Sequence, residues 1–352
     1  MGETFKVAGT ILEVKQDELE IHSIKNFKDG DLLAGHLMHK VGNRMFMLIS
    51  AGGYIDQGFL NHYIGKGMDC VYIDTICHEG IVNVGKQLLS EFINAGTHED
   101  KVNTRKKFLG WFKRNFWDEE IEVSILDLVI TVHAAFFKLP GDVCKNLLDT
   151  SVVIYNRSML VASLSVVVGM MMGHYEYEVL TDIYHSSILL DYGLLGSEFN
   201  YHIMKACELE HTKPGEGISY LEKNATKDDL DFFLYHPNIG AQQARMDCEP
   251  IAAIGNIYSV IEKHHELIEG RGFPAGLKMG ELAEIEQISI FLDHLIPFDL
   301  DRYKVDDGVG FFAKLVKQAP SRERYKLIPC KKVVNTVMSY FDMYDEQYEE
   351  AA

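Results

Sequence analysis

The chain has 352 residues, of which 34 are lysine or arginine and 52 are aspartate or glutamate, so its formal net charge is −18. With 47% hydrophobic and 24% charged residues, the composition is globular and excludes a mostly disordered chain. The negative charge excludes broad binding to nucleic-acid polymers, because it repels phosphodiester backbones. A small anionic ligand remains compatible if a metal ion or a few placed cations neutralise it.

The first 100 residues (1–100) predict a small mixed α/β domain. KVAGTILEV (6–14) has the alternation of a strand, and RMFMLISAGGYI (44–55) predicts a strand that runs into a glycine turn. A short helix is predicted over 56–66, followed by a strand over 70–73. These elements contain no evident catalytic cluster.

The N-terminus and the cysteines indicate a cytoplasmic protein. The first 20 residues contain no hydrophobic run of the signal-peptide kind. The six cysteines are scattered without a CxxC pair, which is typical of packed thiols in a reducing compartment. Cys70, Cys77 and His78 have the residue types of half a zinc site, but the sequence shows no second half.

The remainder of the chain predicts helices: connecting helices over 101–140 and a helical domain over 141–346. The apolar run 159–173 is shorter than the roughly 20 residues of a membrane span, so a buried helix is expected and no membrane span. The polar stretch 199–224 predicts a loop-rich insertion, and helical patterns resume over 226–246 and 249–269.

Two histidine motifs of this helical region point to a metal. Adjacent residues on a helix point about 100° apart, so His264 and His265 can share one ion only near a helix end. A glycine-rich turn over 270–276 places such an end close by. His236, Asp191 and Asp293 lie in the same helical region, and imidazole and carboxylate together suit iron, manganese or zinc. Taken singly, each motif is equally typical of surface residues, so the order of the set has to decide.

The order and spacing of these motifs resemble the HD-GYP family, the branch of the HD phosphohydrolases whose best-known members hydrolyse cyclic di-GMP. HHELIEGRGFPAGLK (264–278) is similar to the family signature HHExxxGxGYPxGLK, and YHPNIGAQQA (235–244) is similar to its HPxIGA segment. DLDRY (299–303) resembles the stretch SDRPYR. The similarity runs from about residue 145 to 305, and residues 30–73 resemble a small domain often found ahead of HD-GYP domains.

The resemblance implies an α+β protein in which the α/β domain precedes an all-α HD-type bundle. It implies these metal ligands: Asp191, His236, His264, His265 and Asp293. It implies these substrate-binding residues: Arg302, Lys278, Arg271, Gly272, Phe273 and Pro274. The cofactor expected is one transition metal ion, iron or manganese in preference to zinc, or none. The expected ligand is cyclic di-GMP or a related small nucleotide, and protein partners in signalling and a homodimer remain open.

The departures from the family pattern are as informative as the matches. The histidine of the HD pair is Leu190, and the lysine three residues after the aspartate is Leu194. The first metal-binding histidine is Arg157, and the tyrosine of GYP is Phe273. The first family metal site has therefore lost both histidines, while the second is complete. Arginine stays protonated and does not normally bind metal, so Arg157 either pairs with a site aspartate in place of the lost cation or points elsewhere.

Three functional hypotheses follow. The first is a degenerate HD-GYP protein that binds cyclic di-GMP or a partner as an effector or scaffold. The second is a working phosphodiesterase that hydrolyses cyclic di-GMP to pGpG or GMP, with one metal or with a first site rescued by His174 or His185. The third is an interaction module in which the metal residues are remnants.

Overall fold

The computed structural model describes residues 4–7, 13–15, 19–42, 44–118, 123–196, 198–248, 257–298, 311–319, 326–329 and 331–348. Within them an N-terminal antiparallel sheet precedes a helical bundle, which confirms the predicted α+β organisation. The strands are β1 (Thr4–Lys6), β2 (Glu13–Lys15), β3 (Glu20–Ser23), β4 (Gly35–Val41), β5 (Arg44–Ile49) and β6 (Cys70–Thr75).

The helices begin with α1, which lies between β5 and β6. The first seven are α1 (Gln57–Gly65), α2 (Glu79–Ile93), α3 (His98–Phe112), α4 (Ile125–Phe136), α5 (Gly141–Thr150), α6 (Val152–Met171) and α7 (Tyr177–Ile188). The next seven are α8 (Tyr201–Thr212), α9 (Glu216–Asn224), α10 (Lys227–Cys248), α11 (Ile257–Lys263), α12 (Glu284–Leu295), α13 (Phe311–Gln318) and α14 (Lys331–Tyr348).

The main sheet has the order β3-β6-β4-β5, and every pairing is antiparallel. Successive side chains of a strand point to opposite faces of the sheet. Leu37 of β4 therefore packs in an apolar cluster with α1, whereas Met38 packs in a second apolar cluster with residues of β2 and of the position directly after β1. The predicted single strand over 6–14 is wrong, because Lys6 and Glu13 face each other across two antiparallel strands. A two-stranded ribbon shows the same alternation as one strand, which explains the error.

Helix α6 forms the centre of the bundle. It is apolar on all sides, as expected of a helix surrounded by protein, and its residues from Ile154 to Met171 are buried. Ser151 caps its first turn by accepting a hydrogen bond from the backbone N–H of Ile154. Within the described residues, α6 alone is long and apolar enough to cross a membrane, but 89% of its most apolar window is buried inside the protein. The sequence prediction of a buried helix is confirmed.

The sheet and the bundle are joined by polar contacts as well as by apolar packing. His78, which precedes α2, donates its backbone N–H to one oxygen of Asp127 at 2.8 Å, and its ring Nδ1 lies 3.0 Å from the other oxygen. Asp127 also accepts from the N–H of Ser124 at 3.1 Å and so caps α4. On the other side, the Tyr155 hydroxyl of α6 donates to the Gly52 carbonyl at 3.1 Å.

The polar stretch 199–224 forms two helices, so the predicted loop-rich insertion is wrong. Its buried positions on α8 include Ile203, Ala206 and Cys207, which have helical spacing. The next two positions on the same face are Glu210 and His211, and both are buried despite their polarity. A search for apolar residues at helical spacing misses this buried face because two of its five residues are polar.

We predict that Asp127→Ala destabilises the protein by about 2–4 kcal/mol, because three donors lose their acceptor and part of this network is buried. Chemical denaturation measures the free energy of unfolding. The control is Asp149→Ala, which removes an exposed carboxylate from α5 and is expected to cost under about 0.5 kcal/mol. Equal losses in the two variants would contradict the assigned role of Asp127.

We also predict an acid-sensitive stability that originates in buried histidines. Burial lowers the pKa of His133 to about 3 and that of His185 to about 4. Since an unfolded histidine titrates near about 6.5, the folded chain binds fewer protons below that pH. The stability contribution is present above pH 6.5 and is lost as the pH falls, by up to about 1.4 kcal/mol per pH unit for each histidine.

The test compares unfolding free energies between about pH 7 and pH 5. His133→Gln is expected to reduce the slope of the unfolding free energy against pH by up to the contribution of one proton. The exposed control His62→Gln is expected to leave that slope unchanged. A His133→Gln protein with the slope of the parent chain would refute the assignment.

Candidate metal centre

Four helices, or the residues directly after them, bring the predicted ligands together. Asp191 follows α7, His236 lies within α10, and His264 and His265 directly follow α11. Each of these four residues places one ligand atom within 4.8 Å of the others, and all four are buried. Asp293 of α12 lies beside them and connects to Asp191 through Arg157. The structure therefore brings all five predicted metal ligands into one buried cluster.

Two glycines allow the turn after Asp191 to lie directly against α10. A Cβ atom on Gly193 would lie 1.9 Å from the His236 carbonyl oxygen and 2.5 Å from the Gly240 nitrogen. A Cβ on Gly240 would lie 2.8 Å from the Gly193 nitrogen. All three distances are too short for a real Cβ atom, so only glycine fits at these two positions. The close approach of the two backbones places Asp191 next to His236.

The proline after His236 orients the imidazole. Proline has no N–H, so Pro237 cannot donate the usual helical hydrogen bond to the carbonyl of Phe233, four residues earlier. The His236 ring uses that carbonyl instead, with its Nδ1 at 2.6 Å from the oxygen. Nδ1 must carry the hydrogen, because a carbonyl only accepts, and Nε2 is left with its lone pair directed into the cluster.

His264 is oriented in the same way at the end of α11. Its Nδ1 lies 2.7 Å from the Ile261 carbonyl oxygen, so its Nε2 also presents a lone pair. The predicted helix over 249–269 thus ends at Lys263 on its C-terminal side, and residues 249–256 lie outside the described part of the chain. The helix end lets two adjacent histidines reach the same cluster, as the sequence predicts.

The two imidazoles of His236 and His264 face each other through their Nε2 atoms. Nε2 of His236 lies 3.2 Å from Nε2 of His264, and the Asp191 Oδ1 lies 3.8 Å from the first and 4.0 Å from the second. Burial and the nearby His264 lower the pKa of His236 to about 3, so that ring does not supply a proton at neutral pH. Two nitrogen lone pairs and a carboxylate therefore converge on one point, as a transition metal requires.

The third imidazole fits the same group. His265 is buried, and burial with the neighbouring imidazole of His264 holds its pKa well below the usual value, so it is neutral. Its Nδ1 is buried and has no hydrogen-bond partner among the described residues. Neutral imidazoles are the form that binds metal, so no proton needs to leave His265 before an ion binds. These residues fit a three-histidine, one-aspartate site for a transition metal ion.

Arg157 occupies the position between the two aspartates. It is 1% exposed, and its Nη1 lies 2.8 Å from Asp293 Oδ1 and 3.6 Å from Asp191 Oδ2. Its Nη2 donates to the Asp293 backbone carbonyl and to Nδ1 of His211 at 3.2 Å, and its Nε lies 3.4 Å from the Ile296 carbonyl. The sequence left open whether Arg157 pairs with a site aspartate or points elsewhere, and the structure supports the pairing.

The pKa values of the aspartates respond oppositely to this cation. Burial and the nearby Asp293 raise the pKa of Asp191, although Arg157 acts in the other direction. For Asp293, burial also opposes ionisation, but the adjacent Arg157 guanidinium and the nearby His211, His264 and His294 together outweigh it and hold the pKa well below the usual range. Asp293 is thus the ionised partner of Arg157, whereas burial disfavours the charged form of Asp191.

Two residues of the cluster were missed by the sequence analysis. His211 comes from α8, in the stretch predicted as a loop, and its Nδ1 accepts from Arg157. His294 follows Asp293 in α12 and forms a second potential metal group with Asp293 and His265. The signal for His294 was adjacency to a predicted ligand near a helix end, whereas His211 could be found only by assigning α8 correctly.

The loop over 270–277 is held against the site by Glu266. Its carboxylate accepts from the N–H of Ala275 at 2.8 Å and of Leu277 at 2.7 Å. A Cβ on Gly272 would lie 2.4 Å from the His265 carbonyl oxygen, so the loop backbone passes directly over that residue. Phe273 stacks on the His265 ring with centroids 4.5 Å apart.

The charged residues predicted to contact substrate are not gathered at the buried cluster. Arg271 is 70% exposed in its side chain and pairs with Glu269, and Lys278 is exposed. Pro274 lies half-buried in the same loop. Arg302 lies outside the described residues, so its predicted phosphate contact stays a prediction.

The remaining candidate positions divide between core and surface. Leu190 and Leu194 are buried in the main apolar core. His174 pairs with Glu284 at 3.3 Å, and His185 accepts from the Lys138 N–H at 3.1 Å. Among the described residues, the two metal-type groups include neither histidine, nor Cys77 of the predicted half zinc site.

Comparisons with known proteins give one solved structure. No protein-family model matches the chain, and no curated protein matches it in sequence. The chain is similar to the structure described as Bd1817, a HDG"Y"P protein from Bdellovibrio bacteriovorus, with 14% sequence identity and a TM-score of 0.39. The similarity covers 91% of this chain and 99% of that chain. An identity and a TM-score this low do not transfer residue roles from one protein to the other, so the roles of residues in this chain rest on its own geometry.

We predict that Arg157→Met destabilises the metal-free protein by about 3–5 kcal/mol, because Asp191 and Asp293 remain buried without their cation. Unfolding by urea provides the measurement. Arg245→Met is the control, since Arg245 pairs with Glu262 at 2.8 Å but is half exposed, and its loss should cost under about 1 kcal/mol. If both substitutions cost the same, Arg157 does not neutralise the site.

Proposed function

We propose that this chain is an HD-GYP-like signalling protein that holds one transition metal ion and binds cyclic di-GMP, or a related small nucleotide, as an effector or scaffold. The ion would be held by Asp191, His236, His264 and His265, with iron or manganese preferred to zinc. The observation that carries the proposal is the pair of Nε2 atoms 3.2 Å apart beside a buried carboxylate. With both Nδ1 hydrogens directed at backbone carbonyls, neither neutral imidazole has a proton to donate to the other Nε2, which supports a cation between them.

The position of Arg157 favours a binder over an efficient enzyme. Two-metal hydrolysis stabilises the attacking and the leaving oxygens together. Arg157 brings a single positive charge to the aspartates, and its nitrogens are already directed at protein acceptors. It therefore cannot orient a water or polarise a phosphoryl oxygen, and part of the transition-state stabilisation of a two-metal site is missing.

An anionic nucleotide also has to overcome the charge of −18. The bound ion would supply the main local attraction for phosphate, and the glycine-rich loop beside His265 lies next to it. Arg271 and Lys278 at the rim of this loop are exposed and contribute only screened attraction. Arg302 is proposed as a further phosphate contact from the resemblance alone.

A second candidate, an active cyclic di-GMP phosphodiesterase that produces pGpG or GMP, is favoured by the completeness of the three-histidine, one-aspartate set. A single bound metal ion lowers the pKa of a water ligand and can polarise a phosphoryl oxygen. The loop that Glu266 holds over His265 is suited to exclude bulk solvent from such a site.

The domain plan and the cellular setting follow the same proposal. The segments 1–100, 101–140 and 141–346 are proposed as a regulatory domain, connecting helices and the HD-GYP-like domain. Val82 and Leu89 of α2 already pack into the main helical core, so a signal received by the first segment has a direct route to the bundle. We propose that the protein acts in the cytoplasm with protein partners, as a monomer or a homodimer.

We predict about one iron or manganese ion per chain after purification without added metal, and loss of that ion in His264→Gln. The measurement is element-resolved metal analysis combined with cyclic di-GMP binding and turnover assays. The control is His185→Gln, another buried histidine, which lies outside both metal groups and should retain the ion.

Binding of cyclic di-GMP without turnover is the expected result. Steady hydrolysis that His264→Gln abolishes would replace the effector proposal by the phosphodiesterase. If the protein binds neither metal nor nucleotide, both proposals fail and an interaction module is left.

A further inference from the structure

We infer that this site has a second, weaker cation position formed by His265, Asp293 and His294. One ligand atom of each lies within 4.8 Å of the other two. The inference rests on the proposed function, because His265 also belongs to the first group. The family resemblance assigns no role to His294, so this position is not the one that the family builds from the residues replaced here by Arg157 and Leu190.

All three side chains are nine-tenths buried or more: His265 is 3% exposed, Asp293 is 0% and His294 is 1%. Among the described residues, Oδ2 of Asp293 and Nδ1 of His265 have no hydrogen-bond partner. Burying a carboxylate oxygen and an imidazole nitrogen without partners is unfavourable. A transition metal ion bound to this group would use both atoms, and the mixture of imidazole and carboxylate suits the same metals as the first position.

The end of α12 explains how two neighbouring residues can face one ion. Asp293 and His294 precede Leu295, the last residue of the helix. Adjacent residues diverge by about 100° on a helix, so they share a ligand only near a terminus or an edge. His264 and His265 use the end of α11 in the same manner. Two helix ends therefore contribute one adjacent pair each, and His265 lies in both groups. A neutral imidazole has one lone pair, so when both positions are filled His265 releases its remaining ring proton to solvent and bridges the two ions as an imidazolate.

Arg157 accounts for the difference in affinity between the two positions. Its guanidinium lies 2.8 Å from Asp293 Oδ1 but leaves Oδ2 without a hydrogen bond. An ion at the second position keeps an oxygen ligand, yet it is repelled by the arginine next to it. The first position has Asp191, whose nearest Arg157 nitrogen is more distant, at 3.6 Å. The second ion should therefore bind at least about tenfold more weakly than the first.

The test uses the full chain, stripped of metal and dialysed against a series of Mn²⁺ concentrations, with bound manganese measured by elemental analysis. The expected result is two ions per chain with dissociation constants at least about tenfold apart. His294→Gln should abolish the weaker ion and retain the tighter one, while His264→Gln should abolish the tighter one. His185→Gln is the matched control and should retain both.

His294→Phe is a second variant, which keeps a ring in the same space but offers no nitrogen, and circular dichroism verifies that each variant is folded. Loss of the weaker ion in either folded variant supports the inference. One ion per chain at saturation overturns the inference but leaves the proposed function standing if His264→Gln removes that ion. Two ions in both folded His294 variants also overturn it. No bound ion in the parent chain overturns both the inference and the proposed function.

Discussion

The interior of this protein depends on one buried arginine between two buried aspartates. A guanidinium and two carboxylates are expensive to remove from water, and such a group persists only when charges and hydrogen bonds are matched closely. Arg157 achieves this by contacting Asp293, Asp191 and His211, which come from three different parts of the chain. The central helix, the last helix of the site and the α8 segment are therefore held in one relative arrangement by a charge requirement as well as by apolar packing.

The residues of the first metal-type group could be predicted because the family resemblance matches short contiguous motifs that contain them. His236 precedes a proline and His264 precedes His265 at a helix end, and each motif carries its own geometric reason. The sequence left open whether Arg157 pairs with a site aspartate or points elsewhere. The contact that decides it joins Arg157 to Asp293, 136 residues further along the chain. Such distances are set by the packing of whole helices, which a local pattern does not contain.

The errors have physical causes as well. The β1–β2 pair was predicted as one strand because two short strands that follow each other in sequence show the same alternation as one long strand. The α8 and α9 helices were predicted as loops because their inward positions include Glu210 and His211, and a search for apolar residues at helical spacing passes over a buried polar stripe. The predicted organisation into a sheet and a bundle was correct because it rests on long runs of residues, where a few polar positions do not change the pattern.

The close contact between Gly193 and Gly240 has a consequence for how the site tolerates change. Because backbone meets backbone there, the separation between Asp191 and His236 is set by covalent geometry and hydrogen bonding, without intervening side chains. Surrounding leucines and valines can exchange for one another and the core can repack around this contact, while the spacing of the ligands is preserved. The spacing of the candidate ligands is in this sense insulated from sequence drift in its hydrophobic surroundings, and it depends on two positions that have no side chain at all.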